Sequence, residues 1–289
     1  MSLADIAARI GRHSSGQPPS VLRRSDIFIW AAVILFVNQL VSIIGPRSAS
    51  PEALAADAAA VGTFQYMAWY AVFRLLRASN STSAARWRDL VVVAGLCLLV
   101  FLPTSRMIWV SATGLSIYLG IVNSSDNKVR AAAIVLAALS IQEFWGHVFF
   151  NLVAFPVLRA EAAVVGTILS AARPGTEWYA NIITGPSGYG IIVYTGCSSF
   201  HNVSLAMLCW VTVSRLRHQN WRRRDLVIGG AIVGIMVLLN VARLCLMAWD
   251  NAFFDYWHEG IGAEIFAITA SLIILIISLY AAGPAKRLE

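Results

Sequence analysis

Tyr194-Thr195-Gly196-Cys197-Ser198-Ser199-Phe200-His201-Asn202 opens a largely apolar run that continues to Val213. A small polar cluster carrying a thiol at the head of such a run reads as the entry to a membrane helix. Runs of the same character recur at 27–44, 58–76, 90–102, 107–122, 131–158, 226–246 and 261–282. Several approach or exceed the roughly 20 apolar residues that cross a hydrocarbon core of about 30 Å, and within lipid the backbone closes its hydrogen bonds as helix. The 289 residues are 58% hydrophobic and 13% charged, with a mean hydropathy of +0.69, too apolar for a soluble domain of this size. The expected fold is therefore all-α: a polytopic helical bundle of about eight transmembrane helices.

The formal charge of +7 would suggest nucleic acid in a soluble protein. Here it reports orientation, because cytoplasmic loops accumulate Lys and Arg. The segments assigned to the cytoplasm hold all but five of the 22 basic residues; Arg47, Arg106, Arg159, Arg173 and Arg243 lie elsewhere. Both termini are accordingly expected inside, with residues 1–26 as an N-terminal tail, 27–282 as the transmembrane domain and 283–289 as a C-terminal tail. A cleavable leader competes at the first span, since Ala53-Leu54-Ala55 has a small-x-small pattern, but the apolar run exceeds an h-region of about 7–15 residues.

Three connections are open. The runs 90–102 and 107–122, joined at Pro103-Thr104-Ser105-Arg106, read as two tilted spans or a re-entrant pair. The helix of 131–158 is tilted or ends in a juxtamembrane extension near Pro156. Residues 159–196 form the longest stretch between spans after the first helix, with 162–172 apolar enough to lie along the membrane surface and 191–194 extended.

The orientation puts Cys197, Arg243 and His258 at one membrane face. From Leu226 to Arg243 a helix rises about 27 Å at about 1.5 Å per residue, which carries Arg243 away from the basic loop to the depth of the thiol. A cysteine at a helix start beside a cation favours its thiolate, so the amides of Ser198, Ser199 and Phe200 are expected to face the sulfur. His258, in Asp255-Tyr256-Trp257-His258-Glu259-Gly260, is a proton acceptor suited to neutral pH. Asn240, three residues before Arg243, lies on the same helical face and can hold the guanidinium or a substrate amide. The plainer readings are a buried apolar cysteine, a Cys197–Cys245 disulfide, a snorkelling arginine and a structural interfacial histidine. Glu143 with His147, and Cys197 with His201, are each four apart, a spacing that admits a metal site or a second shell. Glu161, Glu177, Asp250 and Asp255 read as acidic residues of outer loops.

Gly196-Cys197-Ser198-Ser199, Asn240-Val241-Ala242-Arg243, and His258 with Gly262 resemble the Cys, Asn-x-x-Arg and His motifs of the exosortase/archaeosortase family. The resemblance covers residues 190–270; the N-terminal half is similar only as a set of hydrophobic spans. It implies a multi-pass enzyme of the inner membrane with its site on the extracytoplasmic side, acting on exported membrane-anchored proteins that end in a short motif, a transmembrane helix and a basic tail. It implies a cysteine peptidase or transpeptidase in which Cys197 forms a thioester, His258 is the acid/base and Arg243 the oxyanion or substrate clamp, with Asn240, Ser198, Ser199 and His201 toward the substrate and no metal or cofactor. One departure is Ser199, where the commoner pattern has Gly. The competing functions are a transporter, which calls for an internal repeat not evident here, and a haem- or metal-binding redox protein using His147, His201 or His258.

Overall fold

The computed structural model describes residues 23–44, 62–79, 84–102, 104, 106–122, 125–218, 220 and 222–283. The tail residues 1–22 and 284–289, Arg47 and the Ala53-Leu54-Ala55 stretch lie outside the described residues. Among the described residues 81% are helical. Its elements are α1 (Arg24–Ile44), α2 (Thr63–Arg77), α3 (Trp87–Val100), α4 (Arg106–Val122), α5 (Asn127–Ser140), a π-helical turn (Ile141–Trp145) and α6 (Gly146–Ala172). Three short strands follow, β1 (Glu177–Tyr179), β2 (Ile182–Thr184) and β3 (Gly190–Ile192), then a 3-10 turn (Thr195–Cys197). The chain closes with α7 (Ser199–Arg217), α8 (Arg223–Met247), α9 (Asn251–His258) and α10 (Ile261–Ala282).

Among the described residues, four helical segments are long and apolar enough to cross a membrane: α1, the continuous rod from Asn127 to Ala172, α8 and α10. With 15, 14 and 17 residues, α2, α3 and α4 reach roughly 21–26 Å, less than a hydrocarbon core. The 19 residues of α7 have the length, but polar side chains from Ser199 to Arg215 dilute them.

The long rod departs from expectation. Residues 162–172 do not lie along a surface; they continue the helix that begins at Asn127. Leu158, Ala162, Val165 and Leu169 recur at helical spacing and are all buried, so one apolar stripe runs past Pro156, which forfeits only its own N–H bond. The π turn closes where the Gly146 amide bonds the Ile141 carbonyl. A side chain at Gly146 would stand 2.6 Å from that oxygen, so the turn requires glycine.

The connection after α6 is a small antiparallel sheet in the order β1-β2-β3. Only its last strand was legible as extended. Trp178 pairs with Ile183, and Ile183 with Ile191; Ile183, Ile191 and Val193 point inward and are buried. Asn181 fixes the sheet's exit by exchanging bonds with Val193, N–H to O at 2.8 Å and Nδ2 to O at 3.0 Å. The Trp178 ring lies on α6 where Gly166 has no side chain, since a Cβ there would meet three ring atoms at 2.7 Å.

Two cores result. The larger joins α1–α5 with α7, α8 and α10 around Trp69, Leu136, Trp210 and Met236. The smaller lies beneath the sheet, where Phe150, Val165, Ile183, Val241, Leu244 and Met247 pack with Cys197, Phe254 and Trp257 against them.

Contacts at the helix ends show that the rods alternate in direction. Arg23 bridges Ala84, Ser79 Oγ donates to Asp126 at 2.6 Å, Arg130 reaches Asn220 at 2.7 Å, and His218 meets the Ala282 carbonyl at 2.6 Å. These contacts gather the starts of α1, α3, α5 and α8 with the ends of α2, α7 and α10 into one strongly basic end. Two buried ion pairs stand there, Arg24–Asp89 at 2.6 Å and Arg215–Asp225 at 3.0 Å. The sheet, the 3-10 turn and α9 occupy the other end.

Gly166→Leu is expected to lift Trp178 from α6. Overpacking of this kind costs about 1–3 kcal/mol. Limited proteolysis checks it, with cleavage between residues 173 and 196 appearing in the variant and absent from the parent.

Candidate functional site

Cys197 ends the 3-10 turn, its amide bonded to the Tyr194 carbonyl at 2.9 Å, and its side chain is half-buried against the smaller core. Ser198 is the N-cap of α7, its Oγ accepting from the Phe200 amide at 3.3 Å. All four cysteines are free thiols, Cys245 included.

The helix start is closed off by a residue read from sequence as part of an outer loop. Glu161 lies on α6 and is 7% exposed. Its Oε1 accepts from the Ser198 hydroxyl at 3.1 Å and from the Ser199 amide at 2.9 Å, and the Ser199 hydroxyl donates to it as well. The expectation that the Ser198, Ser199 and Phe200 amides face the sulfur is therefore corrected: all three are occupied, by the Thr195 carbonyl, by Glu161 and by Ser198. Ser198 and Ser199 are buried with their hydroxyls turned to Glu161, rather than presented to a substrate. The missed signal was the apolar periodicity of 158–169, which makes the neighbourhood of Glu161 helical and a lone carboxylate within it conspicuous.

On α8, Asn240 and Arg243 stand one turn apart. Asn240 is 1% exposed. Its Nδ2 donates to the Cys197 carbonyl at 2.9 Å, and its enclosed Oδ1, the side-chain atom able to accept from Arg243, has no partner among the described residues. The Arg243 Nε donates to the Trp257 carbonyl at 3.0 Å, one of the orphan carbonyls at the end of α9. Its guanidinium lies 5.0 Å from the Phe266 ring centroid and within electrostatic reach of the Cys197 thiol. A planar cation bonded through Nε leaves its two terminal nitrogens as a fork with no hydrogen-bond partner among the described residues.

His258 closes α9, whose start is capped by Asp250 accepting from the Phe253 amide at 2.8 Å. The imidazole stacks on Phe254 at 4.7 Å and is 33% exposed. Its Nδ1 is enclosed and makes no hydrogen bond. The Glu259 carboxylate stands 3.5 Å away but is itself 84% exposed, which makes it a weak orienter. The fold-back of α9 on α10 depends on Gly262, where a Cβ would come within 2.8 Å of the Tyr256 carbonyl oxygen.

The structure thus joins Cys197 to Asn240 directly and Arg243 to the residue before His258; among the described residues no hydrogen bond joins Cys197 to His258. His201 is exposed on the first turn of α7, with the Ser204 hydroxyl donating to its carbonyl at 2.8 Å, and is near His147. Glu143 accepts from Gln65, whose amide nitrogen donates to Gln142 Oε1 at 3.5 Å and whose own Oε1 accepts from Gln39 at 3.2 Å. Glu143 therefore belongs to a polar seam between α1, α2 and the π turn rather than to the thiol. Above the site, Tyr189 donates to the Met247 carbonyl at 3.4 Å. Burial, with Asp255 and Asp250 nearby, raises its phenol above the ordinary value, so it remains a donor through physiological pH. Tyr179, Tyr194, Phe253 and Tyr256 are exposed around it, as interfacial aromatics are.

Glu161→Ala is expected to strand the Ser199 amide and two hydroxyls, at a cost of about 2–4 kcal/mol. Glu161→Gln keeps a carbonyl acceptor and should lose less than half as much. Thermal unfolding in detergent measures both. Alkylation of Cys197 should change severalfold in rate in the alanine variant.

Comparison of the chain with protein-family models, with curated proteins and with solved structures finds no match, so what this site can do follows from its own residues.

Proposed function

We propose that the protein is a membrane-embedded cysteine peptidase or transpeptidase of the exosortase/archaeosortase kind, with Cys197 as nucleophile, His258 as acid/base and Arg243 as oxyanion clamp. The observation that carries this reading is the grip of α8 on the site. Asn240 holds the carbonyl of Cys197, while Arg243, one turn on, holds the carbonyl next to His258 through Nε, and its terminal nitrogens make no hydrogen bond among the described residues.

In the proposed reaction His258 takes the thiol proton and Sγ attacks the carbonyl carbon of the scissile peptide. The C=O pair moves onto oxygen, and the Arg243 fork stabilises that charge; a well-placed donor contributes about 3–4 kcal/mol. Collapse of the intermediate expels the amine, which leaves with the proton from His258, and a thioester remains on Cys197. Water or an amine then attacks the thioester, restoring the thiol. With α7 capped by Glu161, the cation beside the thiol is Arg243 rather than the helix start.

Sidedness extends the proposal. The basic end fits the cytoplasmic face of an inner membrane, with eight helical rods as eight spans and both termini inside. The site then lies at the extracytoplasmic interface, the depth at which an exported protein anchored by a C-terminal helix presents its cleavage motif. The short α2–α4 helices fit such a bundle if they tilt little and the bilayer thins around them.

Co-expression with membrane-anchored candidates carrying that tripartite signal tests the chemistry. Cys197→Ala is expected to abolish processing, and Arg243→Lys to lower it at least about 100-fold, because lysine lacks the fork. Processing that persists in Cys197→Ala removes the nucleophile. Orientation is tested separately: with single cysteines at 180 and 220 in a cysteine-free chain, an impermeant maleimide applied from outside should label only the first. Labelling at 220 alone reverses the topology.

A further inference from the structure

At the basic end, far from Cys197, the first turns of α1 and α3 and the last turns of α4 enclose a cleft of about 410 Å3. Its floor is neutralised. Asp89, fully buried, accepts from Arg24 at 2.6 Å, from the Tyr118 hydroxyl at 2.6 Å and from the Arg86 amide at 2.9 Å. Its rim is not. The side chains of Arg86 and Arg88 are exposed, and among the described residues neither has a carboxylate partner within ion-pair distance. The Arg88 guanidinium lies 5.9 Å from the Trp87 ring, itself 69% exposed.

Below the rim the wall changes character. Val91, Val92 and Val122 line it, and Val91 is 58% exposed. The cleft therefore runs from two cations without a carboxylate partner among the described residues, beside an exposed tryptophan, to a branched apolar surface along α3. A soluble anion would use the rim and leave the valines bare. A neutral lipid would use the valines and leave the arginines unpaired. The ligand that matches both parts has an anionic phosphodiester headgroup and an acyl chain.

The length of α3 gives the chain a reason to lie there. Fourteen residues rise about 21 Å, well short of a hydrocarbon core of about 30 Å. A lipid seated beside Trp87 with its chain along Val91 and Val92 covers apolar wall that the helix end exposes where the bilayer must thin. Clusters of basic residues at such depth attract anionic headgroups, each cation adding appreciably, and guanidinium groups engage phosphate oxygens in pairs.

We propose that this cleft binds one anionic phospholipid, with the headgroup phosphate on Arg86 and Arg88 and an acyl chain against Val91, Val92 and Val122. The site is separate from the proposed catalytic residues and does not depend on their role.

The test uses the full chain in nanodiscs of phosphatidylcholine doped with phosphatidylglycerol, released into native mass spectrometry. The parent should retain one phosphatidylglycerol in at least tenfold preference to phosphatidylcholine. Arg86→Gln with Arg88→Gln should remove that preference, and Val92→Trp, which fills the wall and leaves the charge intact, should remove the bound lipid. Unfolding midpoints in pure phosphatidylcholine verify that the variants fold. Equal retention of the two lipids by the parent overturns the proposal without reference to any variant. So does undiminished selectivity in the double variant, which would locate the lipid elsewhere. A stabilisation by inorganic phosphate alone equal to that by phosphatidylglycerol would make the site one for free phosphate and overturn it as well.

Discussion

Glu161 sets a carboxylate behind the two residues that follow Cys197, and the architecture of this end of the bundle serves to bring it there. The rod from Asn127 to Ala172 must continue through its π turn and past Pro156, and α7 must begin at its side. The energetics of this contact are lopsided. Burying a carboxylate costs several kcal/mol, and hydrogen bonds to a charged acceptor return about 1.5–3 kcal/mol each. Three donors on one oxygen therefore bring the contact near balance, while its second oxygen has no partner among the described residues. The gain is position more than stability: the Ser198 and Ser199 backbone cannot shift without stranding buried groups. Because the same carboxylate accepts from the start of α7, the Ser199 amide is not free to face the sulfur.

Ser199 becomes intelligible in these terms. Its hydroxyl gives Glu161 one donor more than the amide alone supplies. Ser199 and Glu161 act as a unit split between α7 and α6. Asn240 completes the frame from the opposite side by holding the Cys197 carbonyl. The backbone from Cys197 to Ser199 thus lies between a buried acceptor, Glu161, and a buried donor, Asn240.

The two cores divide the labour. Around Trp69, Trp210 and Leu136 the larger core holds the rods in alternating directions, and buried ion pairs lock the basic end. Beneath the sheet, the smaller core holds loops whose positions matter more than their stability. Phe150 stacks on Phe200 at 4.3 Å, tying α6 to the first turn of α7, and the missing side chains of Gly146, Gly166 and Gly262 admit the π turn, the Trp178 ring and the Tyr256 fold-back.

Composition and run length were enough to expect helices along most of the chain, because an apolar run in lipid must close its own hydrogen bonds whatever its neighbours do. The run starts read at 27, 107, 226 and 261 follow from the same local rule and fall within three residues of the helices that begin at Arg24, Arg106, Arg223 and Ile261. What the linear chain could not show is what depends on contact between distant segments. The sheet of 177–192 forms from three-residue strands too short to carry an alternating pattern, and 162–172 looked like a surface helix because no local feature tells lipid from a protein neighbour. Glu161 lies 36 residues before Cys197, and only the packing of α6 against α7 turns an ordinary acidic residue into the group that closes a helix start. Hydrogen bonds inside a helix are set by sequence neighbours; the partner of a buried polar side chain is set by whichever helix packs beside it, and that the tertiary structure alone decides.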